Sequence, residues 1–147
     1  IPGEQADVVA EKAMLFEEFC LRENLHLNLQ SVGPKALVHG HCHQKAFNVA
    51  GSVETVLGMI PELEIEVVTS GCCGMAGVFG YGAETYETSM QMGEMSIFPA
   101  VRETTDDTLI VADGVSCRHQ IAHGTQREAH HVVRILKQAL VQTEGSR

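Results

Sequence analysis

The stretch SGCCG, residues 70–74, sets Cys72 and Cys73 side by side; Cys42 stands in HGHCHQK, Cys117 in DGVSCRH, and the fifth cysteine, Cys20, lies apart from them. Thiolates are soft ligands and nucleophiles, so such a set can hold a metal or exchange disulfides. Adjacent cysteines discriminate among metals. Zinc sites usually take paired thiolates from C-x2-C turns, whose two intervening residues let both sulfurs face one ion about 2.3 Å away. Vicinal sulfurs fit a multi-iron cluster better, because neighbouring cysteines can each reach a different iron. The expected centre is therefore iron–sulfur ahead of zinc. A metal-free disulfide between Cys72 and Cys73 ranks last, since it closes a strained eight-membered ring. His41 and His43 flank Cys42 as candidate ligands, as hydrogen-bond donors to sulfur, or as plain loop residues.

Distant thiols can act together only if the fold gathers them. Apolar residues at helical spacing (Val9, Ala13, Phe16, Cys20) predict an amphipathic helix over residues 7–22, with Cys20 packed in the core. Residues 36–38 predict a strand, 44–60 a helix ending at Pro61, 64–70 a second strand, 83–98 a helix closed by Pro99, and 108–113 a third strand. A short helix over 116–123 follows. Thr125 and Glu128 form a capping box for a last helix through Leu140, with a core stripe of Val132, Leu136 and Leu140. Alternating helices and strands imply an α/β fold: a layered parallel sheet of about three to four strands with crossover helices. In such a sheet the loops after the strands emerge on one edge, so Cys42, Cys72, Cys73 and Cys117 should meet at its C-terminal edge. Each loop also feeds a helix start, where unpaired N–H groups favour the thiolate.

Composition narrows the function. The 147 residues suffice for one domain. With 19 acidic and 10 basic residues the formal charge is −9, which disfavours a nucleic-acid surface. No run reaches the roughly 18 apolar residues of a membrane span and no signal pattern opens the chain, so a cytoplasmic location is expected. Ile1 in place of an initiator methionine suggests a piece of a longer protein.

The stretches HGHCHQKA, SGCCGMAGVFGY and ADGVSCRHQI resemble the CCG, or cysteine-rich, domain, whose pattern is a cysteine, a long gap, CCG, a second long gap and CxxC. That domain occurs in the C-terminal part of FAD-linked oxidases of the D-lactate dehydrogenase type, in the iron–sulfur subunits of glycolate oxidase and anaerobic glycerol-3-phosphate dehydrogenase, and in heterodisulfide reductase. The resemblance spans residues 36–136 and implies that residues 1–147 are a single CCG-type domain, a C-terminal fragment of a larger FAD-linked oxidoreductase. It implies a 4Fe-4S cluster, or sometimes zinc, on Cys42, Cys72, Cys73 and Cys117. FAD would lie on a partner domain or subunit outside the chain. Gln120 stands where CxxC has its second cysteine, so a cluster needing five thiolates lacks one here.

The expected function is electron transfer within an enzyme that oxidises a 2-hydroxy acid of the D-lactate, glycolate or 2-hydroxyglutarate class, with the flavin domain as partner and a further electron acceptor of unspecified kind. The fragment alone would carry no catalysis. The alternative is a zinc-binding structural module using the same cysteines, with His41 or His43 completing four ligands.

Overall fold

A computed structural model describes residues 2–142. Four strands, β1 (Lys35–Val38), β2 (Glu64–Val67), β3 (Leu109–Val111) and β4 (Ala129–His130), form one sheet in the order β2-β1-β3-β4, every neighbouring pair parallel. Eight α-helices accompany them among the described residues: α1 (Glu4–Lys12), α2 (Phe16–Arg22), α3 (Cys42–Ala46), α4 (Gly51–Leu57), α5 (Tyr86–Glu94), α6 (Ile97–Arg102), α7 (Val115–Thr125) and α8 (Val132–Ala139).

The central strands are apolar on both faces. Ala36, Val38 and Val111 pack with Cys20, Val53, Leu57, Val132, Ile135 and Leu136 on one side. Leu37, Ile110 and Ala112 pack with Ile97, Phe98, Val101 and Ile121 on the other. Two separate cores around one sheet make three layers, and a parallel sheet buried on both faces requires such continuous apolar runs. The edge strand β2 reads differently. Its Glu64 and Glu66 are exposed, and Lys35 of β1 pairs with both at 3.5 and 2.6 Å, charges that keep an edge from pairing further.

The chain runs from β1 outward to β2, then returns across to β3 and β4. The direction of winding therefore reverses between β1 and β3, the place where the following loops part and open α/β sheets bind ligands.

Several elements depart from the sequence reading. The predicted helix over 7–22 is two helices, because Ala13 is extended (ψ 123°) and Glu18 accepts the Leu15 N–H at 2.8 Å to start α2 afresh. Of its apolar stripe only Cys20 is fully buried. The helix over 44–60 breaks after α3 at Asn48, which takes the left-handed conformation (φ 58°). Pro99 does not close a helix. It lies in the first turn of α6, where its missing N–H would have had no partner.

The capping box at Thr125 does not form. Thr125 ends α7, its hydroxyl donates to the Ile121 carbonyl at 2.6 Å, and Gln126 turns left-handed. A fourth strand follows, and α8 begins only at Val132, with Leu140 exposed and Ala139 taking its place in the core. The predicted second and third strands, 64–70 and 108–113, shrink to four and three residues.

Candidate metal centre

The three loops that leave β1, β2 and β3 carry His39–Cys42, Ser70–Gly74 and Ala112–Cys117. Period-two alternation decides what they present. His39 follows Leu37 onto the face that carries Cys73 and Cys117, and all three are buried. Their ligating atoms lie within 4.8 Å of one another. His39 Nδ1 is paired with the Ser70 hydroxyl at 2.9 Å, which leaves Nε2 for the sulfurs. Cys117 enters from the first turn of α7.

Burial of two thiols side by side splits their acidities. The Cys117 thiol donates to Cys73, and with His39 and the Met75 backbone N–H it holds Cys73 down at about 4 against the cost of burial. Cys117 is pushed up by that same bond, then by burial and by the neighbouring thiols, Cys42 and Cys72 among them. In the metal-free chain the pair keeps one proton, and Cys73 is the thiolate. A Cβ at Gly114 would touch both the His41 ring and Cys117 Sγ, which puts the segment that carries Cys42 beside the buried pair, and Cys72 adjoins Cys73 in the chain.

Cys42 opens α3 at the surface, with His41 Nδ1 at 3.9 Å and His43 Nδ1 at 3.7 Å from its sulfur. His41 Nδ1 also accepts the His43 N–H at 3.0 Å, so its proton sits on Nε2. Burial first, then His43, keeps the His41 ring neutral by lowering its pKa. Cys72 is half-buried and its sulfur accepts the Gly74 N–H at 3.3 Å. The vicinal sulfurs thus differ: Cys73 is inside and Cys72 at the rim.

Two glycines make this approach possible. At Gly114 a Cβ would overlap the His41 ring and stand 2.9 Å from Cys117 Sγ. At Gly74, where φ is +97°, it would overlap the Ser89 carbonyl oxygen. Gln120 explains that closeness. Its buried amide donates to the Cys73 carbonyl at 3.0 Å and to the Ser89 carbonyl and hydroxyl at 3.0 and 2.9 Å, pinning the CCG turn to α5 and α7. Where the pattern would have a further cysteine, this chain has a clamp.

Asp113, which follows β3, caps α8: its carboxylate accepts the Val132 N–H at 3.0 Å and, through the other oxygen, a hydrogen bond from the Gln44 side-chain amide at 2.8 Å. His119 and His123 belong to neither cysteine group and are bonded to Tyr81 and Tyr86 at 2.9 and 3.2 Å. Sequence reasoning favours His41 and His43 over His39. The alternation that includes His39 with Leu37 is the signal that finds it; that alternation ends there, because α3 begins at Cys42 and leaves Cys42 and His43 exposed, while the His41 ring stays beside Gly114 and Cys117.

As a donor set, four thiols with one buried imidazole suit a soft or borderline metal: thiolate sulfur and neutral nitrogen, one sulfur already ionised, backbone N–H groups aimed at sulfur. The residues fit an iron–sulfur cluster or a zinc ion.

No family model and no solved structure matches the chain significantly. Among curated proteins it is 34% identical over 120 residues to a subunit of the anaerobic glycerol-3-phosphate dehydrogenase of Escherichia coli K12, covering 82% of this chain and 30% of that protein. It is 33% identical over 100 residues to D-2-hydroxyglutarate dehydrogenase of Pseudomonas putida, covering 67% of this chain and 10% of that protein. The corresponding protein of Haemophilus influenzae is 30% identical over 104 residues, covering 69% of this chain and 10% of its own length. The chain therefore spans less than a third of the relatives it matches. Kinship with these dehydrogenase segments, together with a parallel sheet whose one edge carries the loops of Cys42, Cys72, Cys73 and Cys117, places the chain with the cysteine-rich CCG domains of FAD-linked oxidases.

Proposed function

We propose that the chain is the iron–sulfur electron-transfer domain of an FAD-linked oxidoreductase acting on a 2-hydroxy acid or a related alcohol substrate. The observation that carries the reading is the buried trio of His39, Cys73 and Cys117 with Cys42 and Cys72 at its rim, on a chain whose relatives are a dehydrogenase subunit and dehydrogenases. Cys42, Cys72, Cys73 and Cys117 would hold the cluster, with His39 as a further donor or as a hydrogen-bond partner to sulfur. When bound, a 4Fe-4S cluster supplies one-electron chemistry. The chain's own residues set the surroundings. The Met75 and Gly74 N–H groups and the His39 ring aim positive dipoles at sulfur, which favours the more negative, reduced state. Ile121, Phe98 and Met75 exclude water from the inner side. The flavin would belong to a separate domain or subunit, and the exposed side at Cys42 is the side from which a partner can approach.

A second reading has support of its own. Two sulfurs and one nitrogen already within 4.8 Å are three of the four donors of a tetrahedral zinc site. Anaerobic reconstitution with iron and sulfide separates the two. The expected result is about four irons and four sulfides per chain with a brown band near roughly 400 nm. Stoichiometric zinc retained against iron and sulfide, with no visible band, would replace the cluster reading by the zinc one.

A further inference from the structure

Glu17 in α2, Asp113 after β3 and His131 at the start of α8 form a second group of ligating side chains, separate from the group of His39, Cys73 and Cys117. Glu17 is only 2% exposed, and its Oε1 has no hydrogen-bond partner among the described residues. A buried acceptor left in that state is destabilising, and more so when ionised. Burial, with the Asp113 carboxylate adding to it, pushes the Glu17 carboxyl up. A proton on Glu17 would remove the like-charge contact but still leave Oε1 alone. A cation answers both.

The geometry is of the right size. One carboxylate oxygen from each acid and a ring nitrogen of His131 lie within 4.8 Å of one another, and Asp113 Oδ1 stands 3.6 Å from His131 Nδ1. Two donors bound to one ion at about 2.1 Å stand roughly 3–3.6 Å apart. The His131 Nδ1 accepts the Val133 N–H at 3.2 Å, so an ion there would compete with that cap or take Nε2 after a turn of the ring. From these observations we propose that Glu17, Asp113 and His131 bind a divalent cation of the manganese, iron(II) or zinc type, at a site that shares no ligand with the thiols. Two carboxylates and one imidazole suit that class and not a soft ion. Bound there, the ion ties α2 to the start of α8 and fixes Asp113, whose second oxygen holds Gln44 in the helix that begins with Cys42.

Manganese(II) is the probe, because oxygen and nitrogen donors suit it while thiolates prefer softer ions. Titrated into the 147-residue chain and followed by loss of the free-ion EPR signal, it should bind saturably at one ion per chain and raise Tm. Glu17→Gln, which mimics the protonated acid in shape, should weaken uptake at least about tenfold, as loss of one charged ligand does, and abolish the Tm rise; Glu11→Gln on exposed α1 should change neither. No saturable uptake, or equal uptake by Glu17→Gln, would show that Glu17 is a buried neutral acid and overturn the site. If Glu17→Gln does not fold, nitrogen hyperfine coupling on the bound ion decides. Coupling that disappears in His131→Gln supports the site, and its absence from the parent chain overturns it.

Discussion

His39, Cys73 and Cys117 lie between the sheet and the helices over it, each less than 5% exposed. His41, Cys42 and His43 offer the same two side-chain types a few residues along the β1 loop, yet Cys42 and His43 are exposed and sit at the start of a five-residue helix. The buried group is held from every side: Ser70 on His39, Met75 N–H on Cys73, the Gln120 clamp behind the CCG turn. The exposed group hangs on two cross-links, Gln44 to Asp113 and Lys45 to the Ser70 carbonyl at 2.5 Å. Order at the inner side costs folding energy in advance and leaves little to organise when a metal arrives. The outer side remains adjustable, as a rim must be if metal or partner is to enter.

The largest effect that tests this contrast is on metal retention. Cys73→Ser and Cys117→Ser remove sulfurs from the preorganised side and should each lower metal affinity by more than the roughly 10–100-fold that loss of an outer partner typically costs. His39→Gln should fall within that outer-partner range. Cys42→Ser removes a donor from the adjustable side, where a neighbouring His41 or His43 can substitute, and should cost about tenfold or less. Competition against a chelator measures all four; a Cys42 variant as damaged as the Cys117 variant would erase the distinction.

A smaller effect concerns the clamp. Gly74→Ala forces a side chain into a left-handed position against the Ser89 carbonyl and should cost about 2–4 kcal/mol of stability. Gln120→Ala leaves the Ser89 hydroxyl and two carbonyls without their donor and should cost about 1–3 kcal/mol. Because both act through Ser89, the double variant should lose less than the sum. Urea unfolding of the metal-free chain reads these values. Additive losses would mean the CCG turn is not held as a unit.

How far the sequence foretells this depends on what each feature rests on. The parallel α/β order and the gathering of the cysteine-bearing loops at one edge of the sheet are legible because short apolar runs ending in glycine mark strands, and strand direction alone puts their following loops together. Helix boundaries are not. A stripe such as Val9, Ala13, Phe16 and Cys20 satisfies helical spacing whether or not the chain stays helical at Ala13, and the break follows from the Glu18 cap at Leu15. The two-residue β4 is hidden because Ala129–His130 carries no periodicity; pairing with β3 makes it a strand. Gln120 reads in the sequence as a missing ligand, since its partners Cys73 and Ser89 lie 47 and 31 residues away. Its role depends on contacts that only the fold supplies.

The smallest and most delicate effect is the order in which thiols react with iodoacetamide in the metal-free chain, where acidity and exposure pull in opposite directions. Cys73, held down at about 4, is fully ionised near pH 7.5, whereas an unperturbed thiol is only about a tenth ionised, an advantage of roughly tenfold. Nucleophilicity falls with pKa at a slope of about 0.4–0.5, so a depression of several units costs roughly a hundredfold. Cys73 is therefore the slower nucleophile by about tenfold before burial is counted. Its exposure of 4% makes reaction wait on local opening. Cys42 should be alkylated first, Cys72 next, Cys73 and Cys117 well after, and Cys20 only on global unfolding, an order that peptide mass spectrometry against time resolves. Loading metal should then slow Cys42 by the largest factor, because the buried thiols were already protected; Cys73 reacting first would mean that the inner side opens more readily than the rim.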